Sequence, residues 1–398
     1  MNEPLRIARV LSRLNLGGPA RQVLAADPLL VARGHAVRIL TGTPRPGEGD
    51  LFEEARARGL DVVRVPDLRR APALLGDLRA RRFLRRALRE FAPDVVHTHA
   101  AKAGALGRRA AAGLGAARVH TFHGHVLEGY FPAPLSSALV RLERRLARET
   151  ERIVAVSHAT AEDLLRLGIA REEQIVVVPP GIELERLLAI PLTAPARRHG
   201  ALRAQLGCSE GTRLVGVVGR LAAVKRPEWA LDVLALLAQR MPELQIVFVG
   251  DGELRALLER RIRALPDGLA RRAHMIGAVM DMEPVLRDLD CVLGCSRSEG
   301  LPVALIEAAA AGLPAVATRV GGVGEIVAEE RTGYLGENPD ELAYGLATVF
   351  ERPETAPAMG QRARLRAQAR HGAEQLADNL ERLYRAAREA SRVRSVAR

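Results

Sequence analysis

The chain has 398 residues, of which 48% are hydrophobic and 27% charged, and its formal net charge is +12. This length and composition suit two or three globular domains and exclude a largely disordered, collagen-like or disulfide-stapled chain. No apolar run reaches the roughly 18–20 residues of a membrane span, and we expect no secretory signal at the N-terminus. The three cysteines, Cys208, Cys291 and Cys295, form no disulfide framework, so we expect a cytoplasmic protein.

In the first half of the chain, short β-branched runs alternate with longer amphipathic segments, which predicts a parallel sheet covered by helices. The predicted strands span residues 5–11, 36–41, 61–65, 94–97, 117–122, 153–157 and 175–178. Helical periodicity is clearest over residues 21–33 and 80–91.

A break at Pro179-Pro180-Gly181 precedes a second series, and residues 191–211 read as irregular. Further strands are predicted at 214–219, 245–250, 274–276, 291–295 and 315–318, and a long helix at 373–392. We therefore expect an α/β protein with two doubly wound domains, 1–190 and 191–372, facing each other across a cleft. A C-terminal segment, 373–398, follows. Ligands of open α/β sheets bind beyond the carboxyl ends of the strands.

Gly17 and Gly18 follow the first predicted strand and precede a helix. Such a pair lets the backbone approach a ligand near the positive end of a helix, although a plain tight turn is an equal alternative. The pattern is not G-x-G-x-x-G, which argues against a nicotinamide dehydrogenase.

Arg220 and Lys225 follow the first strand of the second half, and Lys225 is one of only two lysines in the chain. Two cations at the carboxyl end of a strand can hold a diphosphate, each contributing roughly 1.5–3 kcal/mol through charge-assisted hydrogen bonds. A solvated loop is the alternative.

The segment SRSEGLPVALIEAAAAGLPAVAT, residues 296–318, carries the strongest signal. Pro302 suits the first turn of a helix, and the free N–H groups of Gly300, Leu301 and Val303 are placed to bind a phosphate at its N-terminus. Glu307 lies among alanines, eight residues after Glu299, and a buried carboxylate there needs polar partners such as sugar hydroxyls. In the alternative interpretation, Glu299 is a cap and Glu307 a surface residue.

Five of the ten histidines fall within 29 residues: His97, His99, His120, His123 and His125. Strand alternation and the lack of a nearby carboxylate or cysteine disfavour a zinc cluster without excluding it. We prefer a polar, histidine-rich wall of the ligand site, with Lys102 beside it.

Residues 1–190 carry 30 Lys and Arg against 21 Asp and Glu, which indicates an anionic partner or surface. Five arginines crowd one predicted helix: Arg81, Arg82, Arg85, Arg86 and Arg89. They are a candidate contact with acidic phospholipids on the inner face of the cytoplasmic membrane, or a solvated face. Nucleic acid is a poor candidate because only 3% of the residues are aromatic.

Taken together, these segments resemble glycosyltransferase family 4, the retaining nucleotide-sugar transferases of GT-B fold, over nearly the whole chain. The resemblance is closest to members that build bacterial exopolysaccharide, capsule or lipid-linked glycans. It is carried by GGPARQVLAADPLLVARGHAVRIL, VVHTHAAKAG, HTFHGH, IVAVSHAT, VVPPGIE, VVGRLAAVKRPEWALDVL, IVFVGDGELR, SEGLPVALIEAAAAGLPAVAT, RVGGVGEIV and RTGYL.

The resemblance implies a transferase whose donor is a nucleotide-diphosphate sugar, UDP- or GDP-linked, and whose acceptor is a glycan or lipid-linked glycan. It implies that Arg220 and Lys225 hold the diphosphate, that Glu299 contacts the donor sugar and that Glu307 binds ribose hydroxyls. The remaining implied donor contacts are the backbone of Gly17, Gly18, Gly277, Gly300, Leu301 and Val303. His123 corresponds to the active-site histidine of the family, and His97, His99 and Lys102 would lie on the acceptor side. The resemblance also implies that the final helix, in 373–398, crosses back to the first domain.

Sugar transfer places negative charge on the leaving diphosphate, which two cations and a helix N-terminus stabilise without a metal. We therefore expect no metal and no cofactor, and we interpret Asp288-Leu289-Asp290 as a helix end that leads into a strand. Two alternatives remain: a GT-B-fold sugar-nucleotide epimerase, and a non-catalytic basic scaffold for membranes or nucleic acid.

Overall fold

The computed structural model describes residues 3–45, 48–69, 71, 73–124, 132–192 and 200–396. His125 and the first part of the 191–211 segment lie outside the described residues. Backbone contacts divide the chain into a first unit, Met1–Ile182 with Ala373–Arg398, and a second unit, Glu183–Gly372. The first unit ends before the expected boundary at residue 190, because the short helix Glu185–Leu188 packs on helices of the second unit.

The first unit is built on a parallel seven-stranded sheet with the strand order β3-β2-β1-β4-β5-β6-β7. Its strands are β1 (Arg6–Leu11), β2 (Ala36–Thr41), β3 (Asp61–Arg64), β4 (Val95–His99), β5 (Ala117–Phe122), β6 (Arg152–Ala155) and β7 (Ile175–Val177). Its helices are α1 (Gly18–Ala32), α2 (Phe52–Ala57), α3 (Leu74–Phe91), α4 (Ala101–Ala111), α5 (Ala133–Ala147) and α6 (His158–Arg166).

The second unit has a parallel six-stranded sheet with the strand order β10-β9-β8-β11-β12-β13. Its strands are β8 (Arg213–Val218), β9 (Leu244–Val249), β10 (Ala273–Gly277), β11 (Cys291–Gly294), β12 (Ala315–Thr318) and β13 (Gly333–Gly336). Its helices are α7 (Glu185–Leu188), α8 (Ala201–Gln205), α9 (Trp229–Leu236), α10 (Arg255–Arg263), α11 (Asp267–Ala270), α12 (Glu283–Asp288), α13 (Val303–Ala310), α14 (Val323–Ile326), α15 (Pro339–Phe350) and α16 (Thr355–Arg370).

The predicted α/β class with two doubly wound parallel sheets is confirmed. Every predicted strand is present within a few residues. Most of them are short apolar runs with buried side chains, whereas β3, β7 and β10 are only partly buried. Three details were wrong: β13 was missed, α3 begins at Leu74 rather than at residue 80, and α8 interrupts the segment expected to be irregular.

The C-terminal helix α17 (Ala373–Val396) belongs to the first unit, where it packs on α1 and β5. Its apolar face shares a core cluster with β1 through Leu376, Leu380 and Leu383. The last helix therefore completes the hydrophobic core of the first unit.

We predict that Leu380→Ala lowers the free energy of unfolding of the first unit by about 2–5 kcal/mol, because it leaves a cavity under α17. Leu380 is 3% exposed, whereas Val393 on the same helix is 66% exposed. The matched control Val393→Ala should change stability by no more than about 0.5 kcal/mol. Urea unfolding measures the free energy of unfolding of both variants. Equal decreases would contradict the claim that α17 forms part of the hydrophobic core.

Candidate functional site

The second unit carries a pocket at the carboxyl ends of β8, β11 and β12. Strand β8 ends at Val218, and Arg220 and Lys225 follow it in the loop that leads to α9. Gly250, in the loop after β9, makes this loop possible: its φ is +146°, and a Cβ there would lie 2.0 Å from the carbonyl oxygen of Gly219. The two loops can pack together only because this residue has no side chain.

A carboxylate, an ammonium group and a hydroxyl meet on one wall of this pocket. Lys225 Nζ lies 2.5 Å from Glu299 Oε1, and Ser296 Oγ donates to the same oxygen at 2.5 Å. Thr318 Oγ1 donates to the carbonyl oxygen of Ser296 at 2.6 Å, so the end of β12 braces the loop after β11. Glu299 is thus held in one position by both cation and hydroxyl.

The loop that carries Glu299 is also fixed from behind by a glycine. Gly321 has a φ of +48°, and a Cβ there would lie 1.8 Å from the carbonyl oxygen of Glu299. The next residue, Gly322, donates its N–H to the carbonyl oxygen of Gly300 at 3.0 Å. Loop and glycine turn therefore pack backbone against backbone, which limits the movement of Glu299.

Helix α13 begins directly after this loop, and Pro302 and Ala304 at its N-terminal end line the pocket. The predicted Gly300, Leu301 and Val303 are not among the lining residues. Pro302 is the N-cap residue, just before the first turn in which it was predicted, since its ψ of 113° is not helical. Within the described chain, the backbone N–H groups of Gly300, Leu301 and Val303 have no hydrogen-bond acceptor. Free N–H groups at a helix N-terminus carry a partial positive charge and favour an anion.

Glu307 lies inside α13 and is 5% exposed, so the surface alternative for this residue is wrong. Gly277 ends β10 with a φ of +80°, and a Cβ there would lie 3.6 Å from Arg255 Nη1. Neither residue lines the pocket, and both belong to the same unit as it.

Arg220, Lys225 and Glu299 line this one pocket, as the sequence predicted that they would share a site. Arg220 is 40% exposed, and its nearest carboxylate, Glu253, is 3.7 Å away, a loose pair that leaves the guanidinium available. Cys295 lies in the wall, and burial raises the pKa of its thiol, so this cysteine is an inert lining residue.

The Asp288–Asp290 pair is structural, in agreement with its interpretation as a helix end. Asp288 accepts from the backbone N–H groups of Leu202 and Arg203, and Asp290 accepts from the Arg203 guanidinium at 2.5 Å. Among the residues that the structure describes, no group of three or more histidine, cysteine, aspartate or glutamate side chains could hold a metal.

In the first unit, the glycine pair lies at the start of a helix as predicted. Gly17 is the N-cap residue of α1, and Gly18 is its first residue. The φ of Gly17 is −142°, extended backbone that any residue adopts. The local conformation therefore does not require a glycine here, although a Cβ would lie 3.3 Å from Asn15 Oδ1.

The histidines of β4 and β5 lie on both faces of the sheet. His120 faces Thr98 on one side, with 2.8 Å between Nδ1 and the hydroxyl. His97 and His99 face the other side, and His99 Nδ1 lies 2.9 Å from His123 Nε2. Burial and the nearby Arg9 lower the pKa of His123 to about 4, so this imidazole is neutral at physiological pH.

Lys102 is engaged elsewhere. Its Nζ lies 2.5 Å from Asp77 on α3 and also bonds the carbonyl oxygen of Ala71. The structure therefore ties α4 to α3 through Lys102 and does not place it among the histidines.

Sequence reasoning missed a buried cation, Arg9, which bonds Asp27 at 2.5 Å and contacts both His97 and His99. It lies on the same core-facing side of the first strand as Leu5 and Ile7. A charged residue at such a position was the signal in the sequence that could have revealed it.

Comparison with known proteins supplies the family. The model of Glycosyltransferase Family 4 matches residues 16–186, and that of Glycosyl transferases group 1 matches residues 200–366. The chain is 30% identical over 340 residues to the Escherichia coli UDP-Gal:alpha-D-GlcNAc-diphosphoundecaprenol alpha-1,3-galactosyltransferase, covering 84% of this chain and 85% of that protein.

A D-inositol 3-phosphate glycosyltransferase of Segniliparus rotundus is 31% identical over 307 residues, covering 74% of this chain and 66% of that protein. The crystal structure of Anabaena HepE in complex with UDP-glucose superposes with a TM-score of 0.78 at 22% identity, covering 95% of this chain and 99% of that one. This last likeness concerns the fold.

Proposed function

The chain belongs to glycosyltransferase family 4, and from this premise we propose that it transfers a sugar from a nucleotide-diphosphate sugar, UDP- or GDP-linked, to a glycan or lipid-linked acceptor. We propose that the reaction retains the anomeric configuration, needs no metal and serves bacterial polysaccharide or glycolipid synthesis. The E. coli relative is named for a UDP-sugar and a lipid-linked acceptor, which supports this choice of substrates.

The observation that carries the proposal is the pocket of the second unit, with two cations and a helix N-terminus around one carboxylate. When the bond from the anomeric carbon to the diphosphate breaks, its electron pair moves to the diphosphate oxygen. Arg220, Lys225 and the free N–H groups before α13 neutralise that charge. Such preorganised donors do not have to reorient during the reaction, which is why they lower the barrier.

In this proposal Glu299 binds hydroxyls of the transferred sugar and stabilises positive charge that develops at the anomeric carbon. Glu307 binds the ribose hydroxyls, and the backbone at Gly277 contacts the base. The acceptor oxygen attacks the anomeric carbon from the face that the diphosphate leaves, and its proton passes to the departing diphosphate oxygen. His123 contacts the sugar substrate, while the backbone of Gly17 and Gly18 approaches the donor phosphate.

We predict that Lys225→Ala and Glu299→Gln each lower kcat/KM about a hundredfold or more, because each removes a preorganised partner of the transition state. The donor is first identified by thermal shift with UDP-, GDP- and ADP-sugars, since a ligand at 100 times its Kd adds about 2.7 kcal/mol. Exposed neighbours on the same unit, Arg352→Ala and Glu351→Gln, are the matched controls. Full activity of both site variants would refute the assignment, and turnover of donor without acceptor would indicate an epimerase.

We predict that activity survives extensive dialysis against EDTA, because fixed cations already balance the charge of the leaving group. The measurement is the initial rate before and after chelation, with Mg²⁺ and Mn²⁺ added back. A rate that is lost and then restored by either ion would contradict metal independence.

We further propose that α3 contacts an anionic membrane surface. No helix in the described part of the chain is long and apolar enough to cross a bilayer. Near the start of α3, Leu74 and Leu75 are 81% and 72% exposed, beside the exposed Arg81 and Arg82. Apolar side chains next to cations fit a lipid interface. Of the other arginines, Arg89 is exposed, Arg85 bonds carbonyl oxygens of Ala110 and Ala112, and Arg86 pairs with Glu90.

The double variant Arg81→Glu/Arg82→Glu should bind phosphatidylglycerol vesicles at least about thirtyfold more weakly. The two lost cations each contribute about 1 kcal/mol near such a surface, and the new carboxylates are repelled by it. Co-sedimentation measures the binding, with phosphatidylcholine vesicles and the second-unit variant Arg352→Glu as controls. Unchanged sedimentation of the double variant would remove α3 from the interface.

A further inference from the structure

In the first unit, the buried Arg9 is connected to His123 by hydrogen bonds through His99. Arg9 Nε bonds both carboxylate oxygens of Asp27, at 3.1 and 3.2 Å, and its Nη2 bonds Oδ1 at 2.5 Å. Both side chains are at most 2% exposed. Its remaining nitrogen, Nη1, points to two imidazoles, His97 Nδ1 at 3.1 Å and His99 Nε2 at 3.2 Å.

The chemistry of arginine decides where the protons of these imidazoles lie. A guanidinium group only donates hydrogen bonds and stays protonated. His99 Nε2 must therefore accept, and a neutral imidazole that accepts at Nε2 carries its proton on Nδ1. Burial, His97 and Arg9 all lower the pKa of His99, so this ring is neutral.

The position of the His99 proton in turn determines that of the His123 proton. Since the proton of His99 is on Nδ1, it is donated to His123 Nε2, 2.9 Å away. A proton on Nε2 of His123 would force His99 to accept at Nδ1 and to turn its own N–H toward the Arg9 donor. His123 is therefore a neutral imidazole with its proton on Nδ1, an atom with no partner among the described residues.

We propose that His99 is a positioning residue that, together with Arg9, fixes His123 in the Nδ1–H tautomer. His123 then meets its ligand as a hydrogen-bond donor from Nδ1, and the group it recognises is an oxygen acceptor of a sugar substrate. The catalytic meaning of this tautomer rests on the proposed function, whereas the tautomer itself does not.

The side chains around Arg9, His99 and His123 are consistent with this assignment. The Tyr384 hydroxyl on α17 lies 2.8 Å from His97 Nδ1, and the Thr121 hydroxyl lies 2.7 Å from His97 Nε2. Asp27, on α1, is bound by Arg9, and His120 lies across the sheet beside Thr98. Arg9 is thus the charged group that faces His99. The other imidazole that Arg9 contacts, His97, is hydrogen-bonded to Tyr384 and Thr121.

The direct test is nitrogen NMR of the full-length protein labelled with ¹⁵N-histidine. The His123 signals are assigned by difference from His123→Gln among the ten histidines. We expect His123 Nδ1 to have the shift of a protonated ring nitrogen and Nε2 that of an unprotonated one, unchanged down to about pH 5. A protonated Nε2 in the wild-type protein would overturn the proposal whether or not the protein transfers sugar.

Two substitutions of His99 separate positioning from packing. In His99→Gln the amide oxygen can accept from Arg9 and the amide N–H can donate to His123, so the Nδ1–H tautomer should persist. In His99→Leu this link is absent, so His123 should populate the Nε2–H form, while burial and Arg9 keep its pKa low. Tyr384→Phe removes only a bond to His97, outside this path, and should leave the His123 tautomer unchanged.

In transfer assays, His99→Leu should lower kcat about tenfold to a hundredfold, the cost of one misplaced hydrogen bond to the substrate. His99→Gln should recover most of the rate. Identical NMR signatures in the Leu and Gln variants would overturn the proposal. An intact tautomer in a protein without transferase activity would instead count against the proposed function alone.

Discussion

The chemistry that we propose for the second unit depends on positive charge that is fixed before any ligand arrives. A diphosphate can leave an anomeric carbon only if its charge is neutralised, and water does so at the cost of reorientation. Arg220 and Lys225 follow one strand and line one pocket, and the residues with free N–H groups lie at the start of α13, beside Pro302, which also lines it. The Lys225–Glu299 contact keeps the ammonium group and the carboxylate in place beside each other.

The first unit uses a buried cation in another way. Arg9 is paired with Asp27, so its full charge is balanced inside the core, and its spare N–H group orders two imidazoles. A buried pair of this kind is weak evidence for stability, because desolvation offsets most of the attraction. Its value lies in the directionality of its donors, which a hydrophobic pair in the same place could not supply.

The strands were predictable because parallel strands buried on both faces are short apolar runs, which the sequence shows plainly except at β13, a run of GYLG with little β-branched character. Arg220, Lys225 and Glu299 were predictable because loops after strands meet at one edge of a sheet. The partner of Lys102, and the link from Arg9 to His123, were not predictable, since they depend on strand register and on rotamers of residues far apart in sequence.

The central claim is that the pocket of the second unit neutralises the diphosphate of a nucleotide sugar, and a crystal structure with bound UDP or UDP-sugar tests it most directly. The account predicts phosphate oxygens within hydrogen-bond distance of Arg220, Lys225 and the N–H groups that precede α13. A nucleotide bound at another place, with both cations directed into solvent, would contradict it.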